Sequence, residues 1–444
     1  MKKPELLSPA GTLKNMRYAF AYGADAVYAG QPRYSLRVRN NDFKEDNLAI
    51  GIREAHELGK QFFLATNLMP HNSKIKTVMA DLEPIIAMGP DALIMADPGL
   101  IMMVREKWPE IPVHLSVQAN TVNYAAVKFW QNFGVKRIIL SRELSLDEIE
   151  EIRQQCPDIE LEVFVHGALC IAYSGRCLLS GYFNHRDPNQ GSCTNACRWD
   201  YKTIATEENA EGTFKPAENN LPADVLNNDG ADPGQRHPLA DQVYFLEEKN
   251  RPGEFMPVTE DEHGTYIMNS KDLRAVEHVE RLTKIGIDCL KIEGRTKSHY
   301  YAARTAQIYR QAIDDAMSGK PLDESLIGTL ENLANRGYTD GFYQRHHTQD
   351  QQNYMEGVSK SRQQQFVGEV INIKNGYAEV DVKNKFSVGD RLEIVTPQGN
   401  HDMTLTHLEN NNGEAVDVAP GSGHFVRLPS SEVTSEKALI ARYY

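Results

Sequence analysis

No apolar run in this sequence approaches the roughly 20 residues that span a bilayer, so no membrane-spanning helix is expected. A secretory leader is missing too. In MKKPELLSPAGTL, Pro4, Glu5 and Ser8 interrupt the stretch where a signal peptide needs an apolar core. A cytoplasmic location with reduced thiols is therefore expected. Several catalytic signatures are absent as well: Gly-x-Gly-x-x-Gly, Gly-x-Ser-x-Gly and His-Glu-x-x-His do not occur, and His56-Glu57 meets Lys60 where a second histidine would stand. The first absence speaks against a Rossmann dinucleotide fold, and the other two leave hydrolase chemistry of those kinds without support. Cations are in deficit, with 48 Lys and Arg against 61 Asp and Glu and a net charge of −13. That balance argues against a general nucleic-acid binder, whose affinity comes from neutralising phosphates. Any RNA partner must meet a local basic patch. Candidates are Arg33, Arg37 and Arg39, then Arg176, Arg186 and Arg198, then Lys291, Arg295, Lys297 and Arg304.

What is present describes a globular chain. Charged residues make up 25% and hydrophobic residues 41% of 444 positions, enough to bury a large core in two domains. The first 165 residues repeat one unit, a helix ending in glycine followed by a short apolar strand with a polar residue just past its end. It is seen in Ala21–Gly30, Ala87–Gly99, Asn132–Glu143 and, much later, Lys284–Arg295. Further strands without that lead-in fall at Glu5–Leu7, Phe62–Asn67, Val113–Gln118 and Leu161–His166. Helical spacing of apolar residues fills Asn47–Leu58, Tyr124–Phe133 and Leu146–Gln155, with Ser145 as an N-cap. Eight alternating units predict a (β/α)8, TIM-like barrel over residues 1–320.

A Cys-rich insertion is expected after strand 7. Residues 201–262 belong to it and are loose in part, since Glu207–Pro238 is rich in Asn, Asp, Gly and Pro. Order is expected to return with Gln242–Glu248 and Thr265–Leu273, with a helix beginning at Ser270. After a last barrel helix over His299–Met317, residues 321–365 read as a helical linker containing a helix at Leu322–Asn335. Residues 366–444 change to alternating apolar residues with Asn-Gly and Pro-Gln-Gly turns, which predicts a small antiparallel β-barrel.

Four of the six cysteines gather in Phe164–Tyr201, as Cys170, Cys177, Cys193 and Cys197. Four clustered thiolates suit an iron–sulfur cluster or zinc, and only Cys193 and Cys197 fit a zinc-knuckle spacing, so the pattern leans toward a cluster. Zinc, a redox pair and plain thiols stay open. Cys156 and Cys289 read as ordinary core residues. In a (β/α)8 barrel the reactive residues stand at the C-terminal strand ends. Here those are Asn67, Asp97, Gln118, Asn120, Arg142, Glu143, His166, Glu293 and Arg295. His166, four residues before Cys170, suits a proton carrier, and Glu293 and Arg295 join it as catalytic candidates. Arg33, Arg37 and Arg39 present guanidinium forks that match carboxylates or phosphates, so with Gln118, Asn120 and Arg142 they are the substrate-binding candidates. Pairing among these polar groups is the bland reading of the same residues.

With ELLSPAGTLKNMRYAFAYGADAVYAG, EVFVHGALCIAYSGRCLLSGY and IDCLKIEGRTKSHYY in view, the chain resembles the collagenase-like, or U-class, peptidase family over nearly its whole length, and within it the bacterial tRNA-hydroxylating members. The resemblance implies oxygen-independent hydroxylation at C5 of a wobble uridine in the tRNA anticodon loop, with prephenate as co-substrate and 5-hydroxyuridine as product. It also implies that Cys170, Cys177, Cys193 and Cys197 hold a cluster, [4Fe–4S], with zinc as the fallback. Tyr28, Tyr34 and Tyr173 become candidates for stacking the uridine, and the C-terminal domain for holding tRNA. A collagenase-like peptidase and a noncatalytic RNA-binding protein are the alternatives.

Overall fold

The computed structural model describes residues 2–35, 42–169, 271–335, 337–344, 364–431, 433 and 435–444, with short strands and one turn residue between 201 and 258. Seven strands open the chain: β1 Glu5–Pro9, β2 Ala26–Gly30, β3 Gln61–Ala65, β4 Ala92–Met95, β5 Val113–Leu115, β6 Arg137–Ile139 and β7 Glu160–Ala168. Between them run α1 Leu13–Ala21, α2 Glu45–Glu57, α3 Asn72–Ala87, α4 Pro98–Lys107, α5 Tyr124–Asn132 and α6 Leu146–Gln155. The insertion contributes β8 Tyr201–Glu208, β9 Phe214–Pro216, β10 Tyr244–Glu248 and β11 Phe255–Val258, a separate antiparallel sheet. The chain returns through β12 Asp272–Arg274, α7 Val279–Ile285, β13 Cys289–Ile292 and α8 His299–Met317. β13 pairs in parallel with β1 on one side and β7 on the other, which closes a parallel barrel of eight strands.

Local chemistry accounts for these elements. Ser145 and Glu148 form a reciprocal capping box, each side chain accepting from the other's backbone N–H, so α6 starts there. The repeated glycine ends its helices at positive φ, +108° for Gly23 and +87° for Gly286, a backbone conformation that strains any residue with a Cβ. The strands are buried on both faces, as parallel strands covered by helices must be.

One segment departs from expectation. In place of a helix starting at Ser270, which itself lies outside the described residues, Asp272–Arg274 forms a strand antiparallel to the end of β7. β7 has nine residues and overruns the barrel rim, and β12 covers the edge it would leave unpaired. The helix begins later, at Val279. Beyond α8, the helix α9 spans Ser325–Glu331, shorter than the expected Leu322–Asn335. Its Leu326 and Leu330 are buried, and β14 Tyr338–Thr339 pairs with β12. Among the described residues no helix is long and apolar enough to cross a membrane.

The C-terminal strands are β15 Gln364–Lys374, β16 Tyr377–Val382, β17 Phe386–Ser387, β18 Arg391–Thr396, β19 Gly399–Thr404, β20 Glu409–Asn410, β21 Val418–Ala419, β22 Phe425–Pro429 and β23 Leu439–Tyr443. Seven of them form an antiparallel sheet, and β17 pairs with β21. Their inner faces enclose a second core around Val367, Val380, Phe386, Ile394, Leu428 and Ile440.

This domain is clamped to α1 and α8 by buried polar contacts. The Tyr22 hydroxyl lies 2.8 Å from the carbonyls of Val395 and Lys437, and Arg304, 1% exposed, pairs with Glu393 at 2.9 Å. Glu369 accepts from Tyr18 at 3.0 Å and pairs with Lys14 and His299. Burial pulls the Glu369 carboxyl upward, but hydrogen bonds and charge from His299 and Lys14 outweigh it and leave its pKa at about 2. A carboxyl depressed from 4.5 to about 2 stabilises the fold fully above pH 4.5 and loses that contribution as pH falls toward 2. Glu369→Gln should therefore lower stability at pH 7 by up to about 3 kcal/mol and by much less at pH 3. Thermal denaturation of both proteins at the two pH values measures this, and an equal loss at both would contradict the clamp.

Candidate active site

Strand alternation decides which side chains enter the barrel. Glu5, Tyr28, Phe63, His114, Arg137, Glu162, Phe164, Cys289 and Lys291 face inward. Their contacts fix this: Arg137 bonds Glu5 at 2.7 Å and Glu160 at 2.9 Å, and Glu162, fully buried, bonds Lys291 at 2.7 Å and Arg137 at 3.3 Å. The interior is thus a charge network. Burial pushes the Lys291 ammonium below its ordinary range against the pull of Glu162, and pushes the Cys289 thiol well up.

Above this network the mouth has two poles. On the β2, β7 and β13 side, cations alternate with rings. Arg142 lies 3.8 Å from the centroid of Phe164, Lys291 5.4 Å from Phe164 and 4.3 Å from Tyr28, and Arg295 5.7 Å from Tyr28. Arg142 Nη1 donates to the Ala168 carbonyl at 2.7 Å, and Arg295 Nη1 donates to Ser35 Oγ at 2.6 Å. The Tyr28 hydroxyl donates to the Ile292 carbonyl at 3.1 Å. Burial is the main cause raising its pKa above the ordinary range, with Glu293, Arg295 and Arg142 also in its field. Gly30 makes room for this: a Cβ there would stand 2.3 Å from Arg295 Nη1. Two guanidinium groups packed on aromatic rings, above an ammonium already paired with Glu162, suit an anion.

Across the mouth, at the ends of β3, β5 and β6, the groups are amides and hydroxyls. Asn67 Nδ2 donates to Ser116 Oγ at 3.2 Å, and Ser116 Oγ lies 3.5 Å from Gln118 Oε1. Ser141 Oγ is 2.8 Å from Asn120 Oδ1 and 2.5 Å from Glu143 Oε2. Ser141 has one proton for two oxygens, so the set is satisfied when the Asn120 carboxamide turns its NH2 toward the hydroxyl. Asn120 is a non-glycine residue at φ +51°, a conformation that costs about 1 kcal/mol or more. Gln118 Nε2 is buried with no hydrogen-bond partner among the described residues, which costs a further ~1–3 kcal/mol.

The structure therefore brings Gln118, Asn120, Arg142, Glu293 and Arg295 to one mouth. It does not bring His166 there. Phe164 pairs with Lys291 but His166 pairs with Ile292, so a bulge at Val165 breaks the alternation and turns His166 to the outer face. There it packs on Tyr301, Tyr309 and Tyr338. Tyr309 donates to the Val165 carbonyl and accepts from Ala275 N, so His166 Nδ1, at 3.3 Å, carries the proton. The expected proton carrier is thus an outer-layer residue, because sequence periodicity does not reveal a bulge.

Arg33 also departs from expectation, bonding Asp81 on α3 at 2.6 Å rather than facing the mouth. Asp97 caps α4, accepting from Leu100 N at 2.9 Å. Arg304, one of the basic candidates, lies in the domain clamp. Arg37, Arg39, Arg176, Arg186, Arg198, Tyr173 and the four cysteines Cys170, Cys177, Cys193 and Cys197 lie outside the described residues; the cysteine segment leaves β7 after Leu169, at this mouth. Cys156 and Cys289 are buried free thiols. Sequence reasoning missed Ser35, Ser141, Phe164 and the depth of Lys291. The period-two alternation of Glu162, Phe164 and, on β13, Cys289 and Lys291 carried part of that signal.

The model of peptidase family U32 matches residues 11–353, and that of the peptidase family U32 C-terminal domain matches 362–442. A protein of Escherichia coli named tRNA hydroxylation protein P is 65% identical, covering 97% of this chain and 94% of its own. A Haemophilus influenzae protein of the same name is 62% identical over 96% and 93%. A Porphyromonas gingivalis protein named collagenase is 26% identical over 88% and 86%.

Burial, with help from Lys297 and Arg274, lowers the His166 pKa to about 3. A histidine lowered from 6.5 binds protons more readily unfolded, so it costs stability as pH falls below 6.5. His166→Phe should remove up to about 2 kcal/mol of the stability lost between pH 7 and pH 5, read by denaturant titration at both. Unchanged acid sensitivity would mean that this ring is not held neutral.

Proposed function

This chain belongs to peptidase family U32, and from that premise we propose that it is an enzyme that hydroxylates tRNA, acting at C5 of the wobble uridine to give 5-hydroxyuridine, with prephenate and without dioxygen. The end-to-end likeness to the two relatives named for tRNA hydroxylation carries this reading. The mouth supports it in two ways. Arg142 and Arg295 lie against rings above the Lys291–Glu162 pair, and their guanidinium forks would suit a dicarboxylate such as prephenate. The facing amides and hydroxyls suit an uncharged base, and an anticodon-loop base is already unpaired and able to enter.

Cys170, Cys177, Cys193 and Cys197 would hold a [4Fe–4S] cluster. Their fit rests on the donor set, four soft thiolates in a segment that starts at the barrel mouth. Among the described residues no group of three or more His, Cys, Asp or Glu could hold a metal. When bound, a cluster supplies iron for electron transfer or for Lewis-acid contact. The chain's own residues have other tasks. Arg142 and Arg295 hold the anion's carboxylates, Tyr28 and Phe164 keep those guanidinium groups in place and exclude water beneath them, and Lys291 sets the charge of the floor.

Nucleoside mass spectrometry tests the function. tRNA from a strain lacking this gene should lack 5-hydroxyuridine and its derivatives; the wild-type gene should restore them and Cys193→Ala should not. Anaerobically purified wild type should show broad visible absorbance that Cys193→Ala loses. Intact 5-hydroxyuridine in the deletion strain would refute the activity, as would peptide cleavage by the purified protein with no effect on tRNA. A colourless, zinc-loaded wild type would refute the cluster.

A further inference from the structure

Two features of the amide pole remain unused by the reading above: a buried donor without a partner and a left-handed asparagine two residues later. Both lie at the end of β5, and both belong to short relays of hydrogen bonds that fix which atoms face a ligand. In the first relay, Asn67 Nδ2 donates to Ser116 Oγ, so the Ser116 proton points to Gln118 Oε1, at the outer limit of a hydrogen bond. That orients the carboxamide with Nε2 as its remaining donor. Ser116 follows the inward-facing His114 by two residues and Asn67 follows Phe63 by four, so both face the barrel interior. The second relay runs from Asn120 through Ser141 to the Glu143 carboxylate, and it ends on acceptor oxygen. Asn120 sits in the left-handed region, and its side chain meets Ser141 just past β6.

We infer that this pole is a base-reading subsite, in which Gln118 donates through Nε2 to a uracil carbonyl while the Asn120–Ser141–Glu143 relay accepts the imide N–H beside it. The inference rests on the tRNA uridine reading above and goes further by assigning the residues that choose the base. Uracil presents an acceptor next to a donor on its pairing edge. Cytosine presents the reverse, an amino donor next to a ring-nitrogen acceptor. A fixed donor beside a fixed acceptor therefore welcomes the first and meets donor against donor and lone pair against lone pair with the second. A freely rotating glutamine could pair with either base, and the Asn67–Ser116 relay removes that freedom. The cationic pole lies across the mouth on β2, β7 and β13, so an anionic co-substrate and a neutral base can be held side by side without competing for the same groups.

Fluorescence anisotropy with two hairpin RNAs, identical except for uridine or cytidine at the central loop position, tests the assignment on the full chain. Wild type should prefer the uridine hairpin by about tenfold, the lower range for one bidentate amide–base pair. Gln118→Leu should cut the preference to the part that the acceptor relay contributes. Gln118→Glu should level the two hairpins by weakening uridine binding and strengthening cytidine binding, because a carboxylate opposes the uracil carbonyl and accepts from the cytosine amino group while the relay still favours uracil; a gain in cytidine binding is an outcome that a merely structural glutamine would not produce. Thermal melting of both variants checks that they fold, and Arg295→Ala, at the other pole, should keep the uridine preference. Absence of discrimination by wild type, or full discrimination by Gln118→Leu, would overturn the subsite. The two readings fail separately. Uridine preference without any hydroxylation would sink the activity and leave the subsite standing, whereas hydroxylation with base choice unaffected by Gln118 would do the opposite.

Discussion

Glu162 is a carboxylate with no solvent contact in the centre of a barrel, and it is held there only because Lys291 and Arg137 meet it. A lone charge at that depth is untenable, and removing one partner of such a network typically costs about 3–5 kcal/mol. The order of the mouth follows upward from that constraint. Glu162 places the Lys291 ammonium between Tyr28 and Phe164, and those two rings in turn seat Arg295 and Arg142. The cations that suit an anionic ligand are therefore mounted on the barrel interior, while the loop arginine Arg33 is taken up by Asp81.

Close backbone approach completes the arrangement. Gly30 leaves space for Arg295 and Ser35, and Gly167, at φ +103°, lets the Glu293 carbonyl come within the distance a Cβ would occupy. The bulge beside it sends His166 outward to a cage of tyrosines. A single extra residue thus takes His166 out of the mouth, whose rim among the described residues carries arginine, amide, hydroxyl and carboxylate groups. The C-terminal sheet is fastened to α1 and α8 through Tyr22, Arg304 and Glu369. α8 follows the strand that carries Lys291 directly, so the clamp also braces the mouth from behind.

Much of this was legible in the sequence. All eight barrel strands, the helix over His299–Met317, the Ser145 cap and the antiparallel C-terminal domain follow from local periodicity and capping chemistry, which act over a few residues and leave a direct trace in the order of letters. The polar strand ends Gln118, Asn120, Arg142, Glu293 and Arg295 were legible for the same reason, because a strand that ends in the barrel puts its next polar residue at the mouth. So was the gathering of four cysteines after β7.

Tertiary structure alone decided three things. It decided the direction of His166, because a bulge is an agreement between two strands more than a hundred residues apart in register, and neither strand announces it. It decided that β12 would pair with β7 where a helix was expected, because the overhanging edge exists only once the barrel is closed. And it divided the mouth into a cationic, aromatic pole and an amide pole, since which side chains face one another across a ring depends on its closure, whereas which residues stand at its rim depends only on where each strand ends.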